Sequence, residues 1–264
     1  MPQDYRRFNG PDDSVSYLKY TKDYVKPYEE LHAALLDGKQ RRKDGRTLDE
    51  GRSMFATTDL LSQAKGSAYL EMKKTKVVCS VFDPREIPGQ MALRQALEPC
   101  VCRHLFPNYQ IDVFVYIIEN DGSCLAAAIN AAGLALANAA VPMYDIITSC
   151  SLAVIEDQIF IDPNREEEYL ATCSPETNTN HGIITMSTLS ELKQISDYRQ
   201  VGSMGIECVT NALEILDKEC EKILPLIQKI LVTNVVTSLE QKKRLEKEAK
   251  EREEILNAKV EEWK

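Results

Sequence analysis

IDVFVYIIENDGSCLAAAINAAGLALANA, residues 111–139, runs through three kinds of local structure in order. Ile111–Glu119 is nearly all apolar, the composition of a strand covered on both faces. Asn120-Asp121-Gly122-Ser123 is a turn, and Asp121 or Ser123 can accept the free N–H groups of a following helix. Cys124–Ala139 is that helix. Its many alanines let neighbouring elements approach closely, so it reads as the central helix of the fold. Val141-Pro142 stops it, because the residue before proline is pushed out of the helical region. The wider apolar run Leu125–Met143 is broken by Asn130, Asn138 and Pro142. A membrane-spanning helix needs about twenty strongly apolar residues, so the run reads as a buried helix of a globular domain.

On either side the pattern alternates between hairpins and helices. Ser67–Glu71 and Thr75–Phe82 flank Lys73-Lys74 and form a β-hairpin, which Asp83-Pro84-Arg85 ends. A helix is expected at Met91–His104, with Leu93, Leu97 and Val101 in one stripe and a kink at Pro99. Ser151–Ile155 and Ile159–Ile161 flank Glu156-Asp157-Gln158 as a second hairpin. After Asp162-Pro163 and the acidic stretch Arg165-Glu166-Glu167-Glu168, strands are expected near Tyr169–Cys173 and Ile183–Ser187. A long helix starts near Ser203, with Cys208, Ala212, Leu216, Cys220, Ile223 and Ile227 along one face and Pro225 bending it. Residues 238–264 carry eight acidic and eight basic residues, the composition of an exposed helix with i,i+4 ion pairs. These elements make an α+β sheet-and-helix layer fold.

Composition narrows the possible functions. The 264 residues are 44% hydrophobic and 28% charged, which excludes collagenous, low-complexity and wholly disordered classes. The N-terminal Met1-Pro2-Gln3-Asp4-Tyr5-Arg6-Arg7 lacks the apolar core of a signal peptide, which points to an intracellular protein. Eight cysteines in that setting read as reduced thiols, with Cys79, Cys124, Cys150 and Cys208 in apolar stretches. Cys100 and Cys102 lie too close for a zinc knuckle and His32, His104 and His181 are scattered, so no metal site is expected. The net charge of −9 argues against a chain that binds RNA by phosphate neutralisation alone. Contact with RNA is expected only as one wall of a larger assembly. The basic cluster Lys39–Arg46 is either a solvated loop or a contact for RNA or an acidic neighbour.

Four stretches, in this order and spacing, resemble the RNase PH family of phosphorolytic exoribonucleases and its non-catalytic relatives. They are Lys43-Asp44-Gly45-Arg46 with Asp49 and Arg52; Gly66-Ser67-Ala68-Tyr69 with Thr75-Lys76-Val77; Asp121-Gly122-Ser123 with Ala126–Asp145; and Asp162-Pro163-Asn164-Arg165-Glu166-Glu167. Met1-Pro2, Gly10-Pro11, Leu60–Gly66, Ala96-Leu97-Glu98-Pro99 and Leu224-Pro225-Leu226 resemble, within the family, the ring subunits of the RNA exosome. The resemblance implies an RNase PH-like fold (ribosomal protein S5 domain 2-like) with a left-handed β-α-β element. It divides the chain into a polar arm at 1–42, the domain at 43–237 and a charged helical tail at 238–264. It also exposes a gap. The family has some tens of residues, two strands among them, where only Glu86-Ile87-Pro88-Gly89-Gln90 joins Arg85 to Met91, so one hairpin is missing and a sheet edge is left open.

The same resemblance bears on chemistry. Active members bind phosphate at the N-terminus of the central helix with a Gly-Thr-Arg, where the chain has Ser123-Cys124-Leu125, and leucine can neither neutralise nor hydrogen-bond a phosphate. They carry two aspartates six positions apart, matched here by Asp162 and Glu168. With both features altered, the expectation is a catalytically inactive structural subunit with no cofactor or metal, in which Asp162, Glu168 and Leu125 are vestigial. Arg41, Arg42, Lys43 and Arg85 are the candidate RNA contacts. The implied partners are other RNase PH-like exosome subunits in a hexameric ring, S1/KH-type cap subunits, and single-stranded RNA in the assembled channel, with no membrane. The implied location is the nucleus and nucleolus, and also the cytoplasm. The alternatives are an active phosphate-dependent 3′-to-5′ exoribonuclease and a truncated isoform without ring function.

Overall fold

A computed structural model of the chain describes residues 28–36, 41–82, 95–105, 111–173 and 180–262. Arg85, the 86–90 linker and the start of the helix expected at Met91 lie outside these residues.

The hairpin around Lys73-Lys74 is present. Strand β2 (Gly66–Met72) pairs antiparallel with β3 (Thr75–Phe82), and a two-residue turn joins Met72 to Thr75. Strand β1 (Met54–Thr58) pairs on the other side of β2, and β4 (Asp112–Glu119) pairs antiparallel with β3, giving the order β1-β2-β3-β4. β1 was not expected from the sequence, because MFATT is short and half polar.

β4 corrects the reading of residues 111–119. It is an edge strand, and it is not covered on both faces. Val113 and Val115 pack on the core, while Phe114, Tyr116 and Ile118 on the opposite face are 54%, 72% and 54% exposed. Among the described residues nothing pairs with its outer edge. A continuous apolar run reports that a strand has neighbours, without saying whether its own chain supplies them. An open apolar edge favours wrong association. Tyr116→Lys is therefore expected to raise the soluble fraction of the chain expressed alone, with a thermal midpoint close to that of the unsubstituted protein. Soluble yield and a melting curve check both.

The central helix α2 (Cys124–Asn138) is buried from Ala126 to Leu136. It lies between β2 and β3 on one side and β5 (Ile147–Ile155) on the other. A Cβ on Gly133 would come within 2.7 Å of Ile147 Cγ2, which is why the small side chains matter. Asn130, a break in the apolar run, bridges the layers: its side chain donates to Ser149 O at 2.9 Å and accepts from Ser149 N at 2.8 Å.

The second sheet has the order β6-β5-β7-β8, with β6 (Gln158–Ile161), β7 (His181–Leu189) and β8 (Gln194–Ser203). Glu156 and Asp157 turn the β5–β6 hairpin with φ of 48° and 66°, the two positive values a tight hairpin requires. β5 is buried along its whole length. Cys150, Leu152 and Val154 face Ala212, Leu216 and Cys220 of the long C-terminal helix, and Ala153 and Ile155 face Leu170 and Ala171.

The strand expected at Tyr169–Cys173 is a helix, α3 (Arg165–Thr172). Asn164 and Glu167 form a capping box at its start, with Glu167 Oε2 accepting from Asn164 N at 2.8 Å. The acidic stretch is thus the first turn of a helix, where negative side chains favour the helix dipole. The helix expected at Met91–His104 is present at 95–97 among the described residues but does not run on to His104. Residues 95–97 run into a 3-10 turn at Glu98–Cys100, and a second 3-10 turn follows at Arg103–Leu105.

Packing also begins earlier than the expected boundary at residue 43. Helix α1 (Tyr28–Ala33) leads to Leu35, which is buried against Ala153, Phe160 and Leu170. The last helix, α4 (Ile206–Glu262), contains Pro225 and continues into the charged tail. Its Ala212, Leu216 and Cys220 pack on the second sheet and Ile227 on the core of the first. Arg244 and Glu248, and Glu248 and Arg252, form i,i+4 pairs at 3.8 and 3.9 Å.

Candidate functional site

The turn before α2, the loop at 42–52 and the turn from β6 into α3 meet at one end of the two sheets. Arg52 organises the meeting. Its Nε donates to Asp162 Oδ2 at 2.8 Å and its Nη2 to Oδ1 at 2.7 Å, a two-pronged ion pair. The other guanidinium N–H groups reach Thr75 Oγ1 (3.0 Å), Asp121 O (2.9 Å) and Gly122 O (3.0 Å). The Arg52 backbone N–H donates to Asp162 Oδ2 as well, at 2.8 Å. Burial works against the charges of both partners, but their hydrogen bonds and mutual attraction outweigh it. Asp162 is held below the usual carboxylate range and Arg52 above its ordinary value.

Arg46 closes the same knot. It donates to Asp44 Oδ2 (2.6 Å), Glu50 O (3.0 Å), Asn164 Oδ1 (3.0 Å) and the Asp162 carbonyl (3.3 Å). Arg42 lies beneath it, 1% exposed, with its guanidinium over the Phe160 ring and Nη1 at 3.4 Å from Glu167 Oε2. Its Nη2 donates to Leu48 O at 2.5 Å, while its Nε is buried without a partner among the described residues. Burial drives Arg42 down and Glu167 up, each toward its neutral form. An arginine sealed in this way has no face left for a polyanion. This removes Arg42 from the candidate RNA contacts. Arg41 is exposed; Lys43 is exposed and pairs with Glu166.

The helix N-terminus is occupied from within. Ser123, the N-cap residue, has φ of 51° and makes no side-chain cap. Its hydroxyl donates to Pro163 O at 3.2 Å, so the expected Ser123 or Asp121 cap is replaced by something else. Glu168 Oε1 accepts the Ser123 N–H at 2.6 Å. A carboxylate of the chain itself thus sits where an anion would be drawn to the helix end. Burial raises the Glu168 pKa, and the Ser123 N–H opposes that shift. Leu125, half-buried, packs against the core of the first sheet.

Asp162 and Glu168, paired in the sequence by the family resemblance, are therefore brought to one place but to different tasks. One locks three segments to Arg52; the other caps α2. Among the described residues no three His, Cys, Asp or Glu side chains converge as metal ligands, and all eight cysteines are free. Arg46, Arg52 and Ser123 stand in the sequence motifs, but sequence reading assigns Arg46 and Arg52 no role at the site, and assigns Ser123 the cap that Glu168 supplies instead. Arg46 and Arg52 stand in one motif and Asp162 in another, and nothing local says that residues 110 apart meet.

Comparison with known proteins places the chain in a family. The family described as 3′ exoribonuclease family, domain 1 (RNase PH) matches residues 50–92 and 83–142, two pieces that meet at the short linker. The human exosome complex component MTR3 is 30% identical over 88% of this chain and 96% of its own length. That alignment runs to 284 positions, longer than the chain itself, so the human protein has segments with no counterpart here. The exosome complex component Rrp41 of Methanosarcina mazei is 30% identical over 76% of this chain, which spans 46% of that relative's length. Among solved structures, rice Rrp46 superimposes with a TM-score of 0.61 at 22% identity, covering 72% of this chain and all of that one. The RNA-bound exosome of Archaeoglobus fulgidus gives 0.61 at 17% identity, over 75% of this chain and 96% of that one. These likenesses show a shared fold, and the full-length match to a 30% identical relative settles the lineage: the chain belongs to the RNase PH family of 3′ exoribonucleases.

Proposed function

We propose that the chain is a non-catalytic structural subunit of the RNA exosome core ring, supporting 3′-to-5′ RNA processing and degradation. The observation that carries this reading is the end-to-end likeness to an exosome component, human MTR3. In this reading the chain pairs with other RNase PH-like subunits in a six-membered ring and touches S1/KH-type cap subunits. It lines a channel through which single-stranded RNA passes to a nuclease elsewhere, in the nucleus, the nucleolus and the cytoplasm. The net charge of −9 fits a protein that meets RNA only in company.

The site supports the absence of catalysis. Phosphorolysis needs a bound phosphate and carboxylates free to act on it or on a metal ion. Here Glu168 occupies the helix end, Leu125 offers no charge, and both oxygens of Asp162 are taken by Arg52. The purified chain is expected to release no nucleoside diphosphate from an RNA 3′ end in phosphate and magnesium. Leu125→Arg alone is expected to leave it inactive, because the Glu168 and Asp162 contacts remain. Phosphate-dependent release that Asp162→Asn abolishes would overturn the non-catalytic reading. Co-expression with RNase PH-like exosome subunits tests the structural one: co-elution in a ring-sized complex is expected, and a chain that never enters the complex would sink it.

A further inference from the structure

Beyond its packed part, α4 carries a second ordered face that none of the preceding chemistry uses. Ile223, Ile227, Ile230 and Leu231 turn toward the core of the first sheet. Asn234 makes the last polar contacts with the body, donating to Asp59 Oδ2 at 2.8 Å and Asn138 Oδ1 at 3.0 Å. With 3.6 residues per turn, Val232, Val236, Leu239, Lys243 and Lys250 fall within about 40° of one line, on the side opposite Ile227 and Asn234. Val235 and Lys247 border the stripe, and Glu246 interrupts it.

Val232, Val235, Val236 and Leu239 are 63%, 58%, 48% and 51% exposed. Four aliphatic side chains at i, i+3, i+4 and i+7 make a docking stripe of the kind one helix offers another. The three lysines that follow are exposed and form no ion pair with a described side chain. From Val232 to Lys250 the stripe is about 27 Å long at 1.5 Å per residue. By length and composition α4 could also cross a membrane. Its opposite face, however, is committed to the core through Ala212, Leu216, Cys220 and Ile227, all fully buried.

We propose that this outward stripe docks an acidic amphipathic helix of another protein, with aliphatic residues against Val232, Val236 and Leu239 and carboxylates against Lys243, Lys247 and Lys250. Charge complementarity selects this occupant. The rest of the molecule is strongly acidic, so a basic patch that follows an aliphatic one on the same face discriminates between partners. RNA would engage the lysines but gain nothing from the aliphatic quartet. The inference stands independently of the ring assignment.

The test uses the full chain and a fluorescent helical peptide of about 20 residues, leucine at heptad core positions and glutamate at the flanks. Anisotropy is expected to report binding that weakens about tenfold or more in Val236→Gln/Leu239→Gln, and separately in Lys243→Glu/Lys250→Glu. All four positions are exposed, and far-UV circular dichroism checks that α4 persists. A peptide with lysine in place of glutamate is expected not to bind. Absence of binding by the unsubstituted chain, or binding that either double variant leaves unchanged, would overturn the proposal. So would tighter binding of a uridine oligonucleotide or of phosphatidylserine vesicles that is lost in the same variants.

Discussion

Arg52→Met is expected to lower the unfolding free energy by about 3–5 kcal/mol, the cost of stranding one member of a buried ion pair. Total stabilities are about 5–15 kcal/mol, so this is a large fraction. The guanidinium spans Asp162, Thr75 and the Asp121 and Gly122 carbonyls, and methionine replaces none of those five hydrogen bonds. The acid response should shift along with the stability. In the unsubstituted protein the Asp162 pKa lies below its ordinary 3.8. Its contribution is fully present above that value and is lost as pH falls through the lower folded-state value. Glu168 works the other way, because its pKa is raised and protonation in the fold is favoured. Net loss therefore sets in below pH 3.8, after Glu168 has begun to protonate. With the Arg52 side chain gone, burial is opposed only by the backbone N–H of residue 52, by Ser123 and by Arg46 at 3.7 Å, so the Asp162 pKa rises and mild acid should favour the variant more than it favours the unsubstituted protein. Denaturant unfolding curves at pH 7 and pH 4.5 for both proteins measure the stability loss and the difference in acid response. A variant that keeps the original midpoint and acid slope would show that the knot is incidental.

Gly122→Ala is expected to cost about 2–5 kcal/mol, from about 1–2 for a left-handed residue with a side chain and about 1–3 for overpacking. Gly122 has φ of +89°, and a Cβ there would lie 2.3 Å from Pro163 O, 2.6 Å from Asn164 C and 2.8 Å from Arg165 N. All three are backbone atoms, so no side chain can swing aside. The turn before α2 would have to part from the turn before α3, breaking the Ser123–Glu168 contact and pulling on Arg52. Gly45→Ala is the control. Gly45 has φ of +85° but nothing within 4 Å of the added carbon. Its loss should be limited to the backbone term, about 1–2 kcal/mol. Comparing the two thermal midpoints isolates the close approach from the φ preference. Equal losses would mean that the two turns separate easily, and that the site is less rigid than its contacts imply.

Several elements were legible because their causes are local. The alanine-rich run made α2, the paired turn residues made the β2–β3 and β5–β6 hairpins, and the apolar repeat from Cys208 to Ile227 made the packed face of α4. The order of the motifs carried the family, and the absence of a charge at Leu125 was readable in one residue. The helix at Arg165–Thr172 was legible too, in the Asn164-to-Glu167 capping spacing, but its apolar Tyr169, Leu170 and Ala171 drew the reading toward a strand.

What only the tertiary structure decided depends on distance along the chain. Arg42, a surface cation by its neighbours, is buried because Phe160 and Glu167, more than a hundred residues later, close over it. Ile111–Glu119 is apolar whichever strands flank it, so only the sheet order reveals that it stands at an open edge. Asp162 and Glu168 look like a catalytic pair six positions apart. In the fold Asp162 is held by Arg52 and Glu168 by the N-terminus of α2, because each carboxylate is satisfied by whichever donor the fold brings to it. Composition and periodicity determine which segments form and which face each one buries. A side chain's partner is settled by contacts that close long loops and leave no mark on local sequence.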